Sequence, residues 1–233
     1  GMQRYSTFPW SGDVQRSYEG LQAQVPIMLS MGLSGIPWMH SDVGGFTGGG
    51  NDDELFVRWV QMGVFAPVFR IHGAGIETAP TAYGFNARNI ARKYIKLRYE
   101  LLPYNYTLAW EASSTGLPLA RPMDFYDIGN AEAQNINDQY FWGDAFIVAP
   151  VMHQGQNQRS VYLPEGKWLD YHTLSDHTGP GNFIMPAPLE DIPVLVKAGS
   201  FVPTVRGLQT TDHYLADTLF IQYFPDAVHS ASQ

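Results

Sequence analysis

Apolar and polar positions recur with two different periods along this chain, and the change of period divides it. The aromatic and β-branched run Tyr5 to Trp10 meets the turn Ser11-Gly12-Asp13, as a strand does. A helical stretch follows from about Ser17 to Met31, with a bend or restart predicted at Pro26. Gly35 to His40 reads as a second strand, closed by Ser41-Asp42 and a glycine-rich loop from Gly44 to Gly50. Asn51-x-x-Glu54 has the spacing of a capping box. Behind it Leu55, Phe56, Trp59, Val60 and Val64 fall at helical intervals that should stop before Pro67. Ala66 to Ile71 forms a third extended run, ended by His72. The stripe Ile90, Tyr94, Leu97, Leu101, Tyr104 and Leu108 then predicts a long helix, with Asn86 as its cap, a kink at Pro103 and stop signals at Gly116 and Pro118.

Strands alternating with helices in this way predict parallel βα units. From Leu117 onward the pattern changes to short strand-like runs separated by Gly and Pro: Phe146 to Val151, Ser160 to Leu163, Val194 to Lys197, Ser200 to Pro203 and Leu219 to Phe224. That is the pattern of an antiparallel β-sandwich. The fold class expected from the pattern is therefore α/β plus all-β, parallel βα units in one sheet or barrel followed by an antiparallel β-sandwich, with a boundary near 114–120.

Composition narrows the possible partners. With 45% apolar residues the 233-residue chain can bury a sizeable core, and 14 Lys and Arg against 22 Asp and Glu leave a net charge of −8. No basic run is present to neutralise phosphates, so nucleic acid is not an expected partner. The longest apolar stretch, Val25 to Met39, is broken by Pro26, Gly32, Gly35 and Pro37, and it falls short of the roughly 20 residues a membrane helix needs. Gly1-Met2-Gln3-Arg4 opens without the apolar run of a signal peptide, and the absence of Cys favours no compartment. The acidic run Asp52-Asp53-Glu54 fits a helix N-terminus better than a calcium loop, and the histidines show no metal-ligand spacing, so neither metal nor cofactor is implied.

Functional side chains of a βα barrel come from the C-terminal ends of its strands and the loops after them. Asp13, Asp42 and the Arg70/His72 pair stand at those places, with Trp10, Trp38 and Phe46 nearby as flat faces on which a sugar ring can stack. Each residue also has a plainer reading. Asp13 could cap a helix, Asp42 could close an Asx-turn, Arg70 could be an ordinary ion-pair partner and His72 a structural histidine. Their recurrence at the same end of successive strands favours a site for a neutral polyol.

Six ordered blocks add a resemblance. Gln3-Arg4-Tyr5, Trp10-Ser11-Gly12-Asp13, Ser41-Asp42-Val43-Gly44-Gly45-Phe46, Phe69-Arg70-Ile71-His72, Arg98-Tyr99-Glu100-Leu101-Leu102-Pro103-Tyr104, and Trp142-Gly143-Asp144-Ala145-Phe146-Ile147-Val148-Ala149-Pro150 resemble family 31 of the glycoside hydrolases. That family comprises retaining α-glucosidases, α-xylosidases and transglucosidases. The resemblance implies Asp13 as general acid/base, Trp10 as a wall of the −1 sugar subsite, Asp42 and Phe46 as groups that order and line it, Arg70 as a holder of carboxylates and His72 as a hydrogen-bond partner of sugar hydroxyls. It implies an α-linked oligosaccharide or glucoside as partner, with α-glucosidase leading over α-xylosidase and 4-α-glucosyltransferase. A non-catalytic carbohydrate-binding module is the alternative of another class.

Retention needs a second carboxylate about 5 to 5.5 Å from the acid/base. The residues alone nominate Asp42, whereas the resemblance places the nucleophile in an earlier block, a strand-end Asp closely followed by Glu, that this sequence lacks. The resemblance implies the C-terminal part of a (β/α)8 TIM barrel over residues 1–116, a proximal β-sandwich domain over 117–205 and the start of a distal β-domain over 206–233. A full barrel takes eight βα units over about 250 residues, and the pattern here accounts for three. The expectation is a chain truncated at both ends, dependent on a missing N-terminal barrel half in cis and inactive alone. Localisation stays open on the same ground.

Overall fold

A computed structural model of the chain describes residues 8–214 and 217–226. Half of the strand expected over Tyr5 to Trp10, residues 5–7, lies outside them, but its end is seen: Trp10 forms a parallel bridge with His40. Helices α1 (Tyr18–Gln22) and α2 (Gln24–Leu33) replace the single stretch expected, with Ser17 capping α1 by accepting from the Gly20 N–H. The break falls at Ala23 rather than at Pro26. Pro26 sits in the first turn of α2, where its missing N–H would have had no intrahelical partner anyway.

The second strand also forms later than its sequence suggests. Residues from Ser34 close α2, with the Ile36 N–H donating back to the Met31 carbonyl and Gly35 at φ +78°, so ladder pairing is delayed to β1 (Asp42–Val43). β1 pairs in parallel with β2 (Arg70–Ile71), in a register that sets Asp42 beside Arg70. Between them runs α3 (Asp53–Val64). Its cap is Asp52, whose Oδ1 accepts from the Leu55 N–H, and not the expected Asn51, whose amide donates to the Ala82 carbonyl. Two residues separate α3 from Pro67, as the breaker requires. The long stripe forms two helices, α4 (Phe85–Glu100) and α5 (Leu102–Thr115), divided at Leu101 just ahead of Pro103. Gly84 caps α4 with Asn86 inside its first turn, and Gly116 ends α5 at φ +82°.

The second half is antiparallel throughout its described ladders. β3 (Ala120–Arg121), β4 (Tyr140–Trp142), β5 (Phe146–Val148), β6 (Gln158–Asp170), β7 (Asp176–Pro186) and β8 (Val194–Lys197) form one sheet in the order β3-β4-β5-β8-β6-β7. β9 (Phe201–Thr204) and β10 (Phe220–Tyr223) pair beside it, and a four-residue helix, α6 (Ala131–Gln134), lies between β3 and β4. Two-residue alternation gives the sheet two apolar faces. Phe146, Val148, Val194 and Val196 join the core built by Leu21, Trp59, Phe65 and Tyr94, while Ile147 and Leu195 turn to a second cluster with Phe141 and Trp168.

Buried polar stitches fasten the helices to the β half. The Arg58 guanidinium on α3, 1% exposed, donates to the carbonyls of Gln156, Ala187, Pro188 and Asp191. The Tyr140 hydroxyl donates to the Phe65 carbonyl, and the Tyr94 hydroxyl accepts from the Ile192 N–H. On α5 the Tyr104 hydroxyl donates to the Trp142 carbonyl, and the Trp142 indole N–H donates to Asn105. The βα half thus packs against the antiparallel β half in one core.

Candidate active site

Parallel pairing of β1 with β2 places Asp42 and Arg70 side by side. The Asp42 side chain is fully buried, its Oδ1 accepts from Arg70 Nη2, and its Oδ2 has no hydrogen-bond partner among the described residues. The Asx-turn reading of Asp42 therefore fails. Asp13 follows Gly12, which turns at φ +80°, and stands exposed, with no hydrogen bond or ion pair to any described residue. It is not a helix cap either, since Ser17 takes that role. Trp10 is half exposed, and the Phe46 and His72 rings are 5.4 Å apart. Trp10, Asp13, Asp42, Phe46, Arg70 and His72 together line a single cavity of about 190 Å³. The six candidates, drawn from three separate segments, are one cluster.

Two further residues shape this pocket, and neither carries a sequence signal. Arg16, 8% exposed, donates from Nη1 to the Gly48 carbonyl at 2.8 Å and from Nη2 to the carbonyls of Phe46 at 2.6 Å and Ala74 at 2.7 Å. It thereby ties the loop after β1 to the loop after β2. Gly45 and Gly73 are required by that packing, because a Cβ at Gly45 would lie 2.7 Å from Arg16 Cα and one at Gly73 2.7 Å from Nη2. His40 sits behind the pocket, where burial and then the Arg70 charge hold its imidazole pKa below the ordinary value.

The chemistry available is specific. Asp13 offers an exposed carboxyl with no partner among the described residues, whereas Asp42 is fixed in position by the Arg70 guanidinium. Aromatic faces at Trp10 and Phe46 suit the apolar faces of a pyranose, and His72 and Arg70 supply donors for its hydroxyls.

A βα half with a pocket of this composition, continued by an antiparallel sandwich, is the build of a TIM-barrel glycoside hydrolase. The model of the glycosyl hydrolases family 31 TIM-barrel domain matches residues 1–108, and that of the family 31 C-terminal domain matches residues 116–202. The chain belongs to glycoside hydrolase family 31. It is 39% identical to alpha-glucosidase 2 of Bacillus thermoamyloliquefaciens over 87% of its own length and 26% of that protein. It is 34% identical to an alpha-xylosidase of Saccharolobus solfataricus over 97% of its length and 32% of that protein. The structure superposes on a family 31 dextranase of Flavobacterium johnsoniae complexed with glucose at a TM-score of 0.92, with 38% identity, covering 97% of this chain and 29% of the dextranase. The chain thus spans about a quarter to a third of these relatives.

Proposed function

We propose that these residues serve a retaining, exo-acting α-glycoside hydrolase, with α-glucosides as the leading substrates and Asp13 as general acid/base. The observation that carries the reading is the contrast within one pocket: Asp13 is unpartnered at the rim while Asp42 is buried and bound to Arg70. Asp13 protonates the glycosidic oxygen as the bond to the anomeric carbon breaks, then takes a proton from the water that resolves the glycosyl-enzyme. Trp10 and Phe46 hold the ring of the −1 sugar, the one that becomes the glycosyl-enzyme, His72 bonds its hydroxyls, and Arg70 acts through Asp42.

The nucleophile is a further carboxylate outside these 233 residues, so that the chain by itself turns nothing over. On the same reading residues 1–116 are barrel, 117–205 a proximal β-domain and 206–233 the start of a distal one. An α-xylosidase or a 4-α-glucosyltransferase would use this pocket in the same way.

The test is Asp13→Ala in the complete enzyme. Turnover of substrates with poor leaving groups should fall about 10²- to 10⁴-fold, and azide should restore it on activated aryl α-glucosides with formation of the α-glucosyl azide. An unchanged rate, or a β-azide product, would remove Asp13 from the acid/base role. A retaining rate from the 233-residue chain alone would refute the placement of the nucleophile.

A further inference from the structure

A larger hollow than the Asp13 pocket lies on the β half, where about 500 Å³ opens over β4 and β6. Its floor is aromatic. Phe141 and Trp168 are almost fully buried with ring centroids 6.2 Å apart, and Phe141 meets the Tyr126 ring edge-on at 5.1 Å. Tyr126 is 53% exposed yet fixed, because its ring abuts Phe125 and its hydroxyl is held between the Arg121 guanidinium and the Asp144 carboxylate. Two local features raise the rim. The β4–β5 turn at Gly143, φ +60°, presents Asp144, and a bulge in β6 between Leu163 and Gly166 turns Glu165 outward, with Pro164 anchored through the Trp168 indole N–H at 3.1 Å.

A second hollow of about 320 Å³ shares Asp144 and Lys197 with the first. It reaches Phe201, a ring 64% exposed and stacked on Tyr223 at 4.7 Å. Two rigid aromatic platforms therefore flank a polar middle along one groove.

We propose that this groove is a second carbohydrate site, binding a linear α-glucan across Tyr126 and Phe201 away from the Asp13 pocket. Stacking needs exposed rings that lose little freedom on binding, and both are already held by neighbouring groups. Asp144 and Glu165 accept hydroxyl protons, and Lys197 donates to ring or hydroxyl oxygens. Lys197 is outweighed by those two carboxylates, and Arg121, 1% exposed, is committed to Asp144, Tyr126 and Glu111, so the groove disfavours an anionic ligand. The oligosaccharide class follows from the groove, whereas the choice of α-glucan rests on the function proposed above.

The complete enzyme should be run by affinity electrophoresis through gels containing soluble dextran or amylose, beside hydrolysis of an aryl α-glucoside. Tyr126→Ala and Phe201→Ala should each weaken retardation roughly three- to tenfold, the range expected for one aromatic contact, while kcat/KM on the small substrate stays unchanged. His72→Ala should do the reverse. Glu165→Gln, an exposed rim change that leaves the fold intact, should also weaken retardation. Absence of retardation in the wild type, or retardation that His72→Ala abolishes and the groove variants leave intact, overturns the proposal. If the groove variants lose retardation in an enzyme that proves unable to cleave α-glucosides, the groove stands and the proposed function falls.

Discussion

Replacing Arg16 by Met should loosen the candidate active site without emptying its neighbourhood of bulk. The wild-type guanidinium makes three hydrogen bonds of 2.6 to 2.8 Å, to the carbonyls of Phe46, Gly48 and Ala74. At about 1.5–3 kcal/mol for each bond to a charged donor, their simple sum would be about 5–9 kcal/mol. Gly48 and Ala74 are exposed positions, however, where water can take up the freed carbonyls, and the methionine stem keeps the apolar packing. The expected loss is therefore about 2–4 kcal/mol. Urea unfolding measures it directly, and hydrogen exchange locates it. The amides of Phe46 and Thr47, which donate to the Val14 carbonyl, and of Ala74, which donates to the Phe46 carbonyl, should exchange faster than those of α4. Arg16→Lys should recover only part of the loss, since an ammonium cannot present the same planar fork. A loss below about 1 kcal/mol with unchanged protection at these three amides would refute the tie between the two loops.

Other positions make independent claims. Gly143→Ala should cost about 2–4 kcal/mol in a thermal or urea melt, because φ is +60° and the new Cβ would fall 2.4 Å from the Tyr104 hydroxyl and 2.5 Å from Leu108 Cδ2. Arg58→Met should cost about 2–4 kcal/mol, since it frees four backbone carbonyls of the β half, of which that of Ala187 is in a fully buried bond; a loss within experimental error would show that they find other partners. His40 titrates below its ordinary 6.5 in the fold, so the unfolded chain takes up the proton first and stability should fall as pH drops from about 6.5 towards the lowered folded value. His40→Asn should flatten that part of the stability profile, and a profile unchanged by the substitution would assign the acid sensitivity elsewhere.

The candidate pocket was legible because barrel chemistry sits where strands end, and strand ends are marked by polar residues after apolar runs. Asp13 and His72 follow such runs, whereas Asp42 and Arg70 open β1 and β2 themselves, and the parallel register of those two strands sets them side by side at one mouth. Where the ladders begin was less legible. Gly35 to Met39 has the composition of a strand, but the tail of α2 claims the amides of Gly35 and Ile36, and Pro37 has none to offer. β7 was hidden for another reason: Gly179, Pro180 and Gly181 interrupt its alternation, which is tolerated because β7 is the outermost strand, where a missing N–H breaks no inner ladder. Asp52 displaced Asn51 as a cap by one position, a distinction that spacing cannot make when both side chains can accept the bond. Arg16 and Arg58 left no trace at all, because a single charged residue has no period, and what makes each important is a set of carbonyls distant in sequence.

Those two arginines also explain why the pocket needs the β half. The loop after β1 leads into α3, and α3 is held from its far side by the Arg58 bonds to Gln156, Ala187, Pro188 and Asp191 and by Glu54, which accepts from the Gly155 N–H. From the pocket side, Arg16 draws the same loop against the loop after β2. Phe46 thus stands against His72 on a segment held both by α3, anchored on the sandwich, and by the Arg16 clamp between the two loops. Each arginine trades its water shell for carbonyls rather than for a carboxylate, an arrangement that fixes backbone position where an ion pair would fix only a side chain. The sandwich is thus part of the support of the candidate pocket as well as the bearer of a groove of its own.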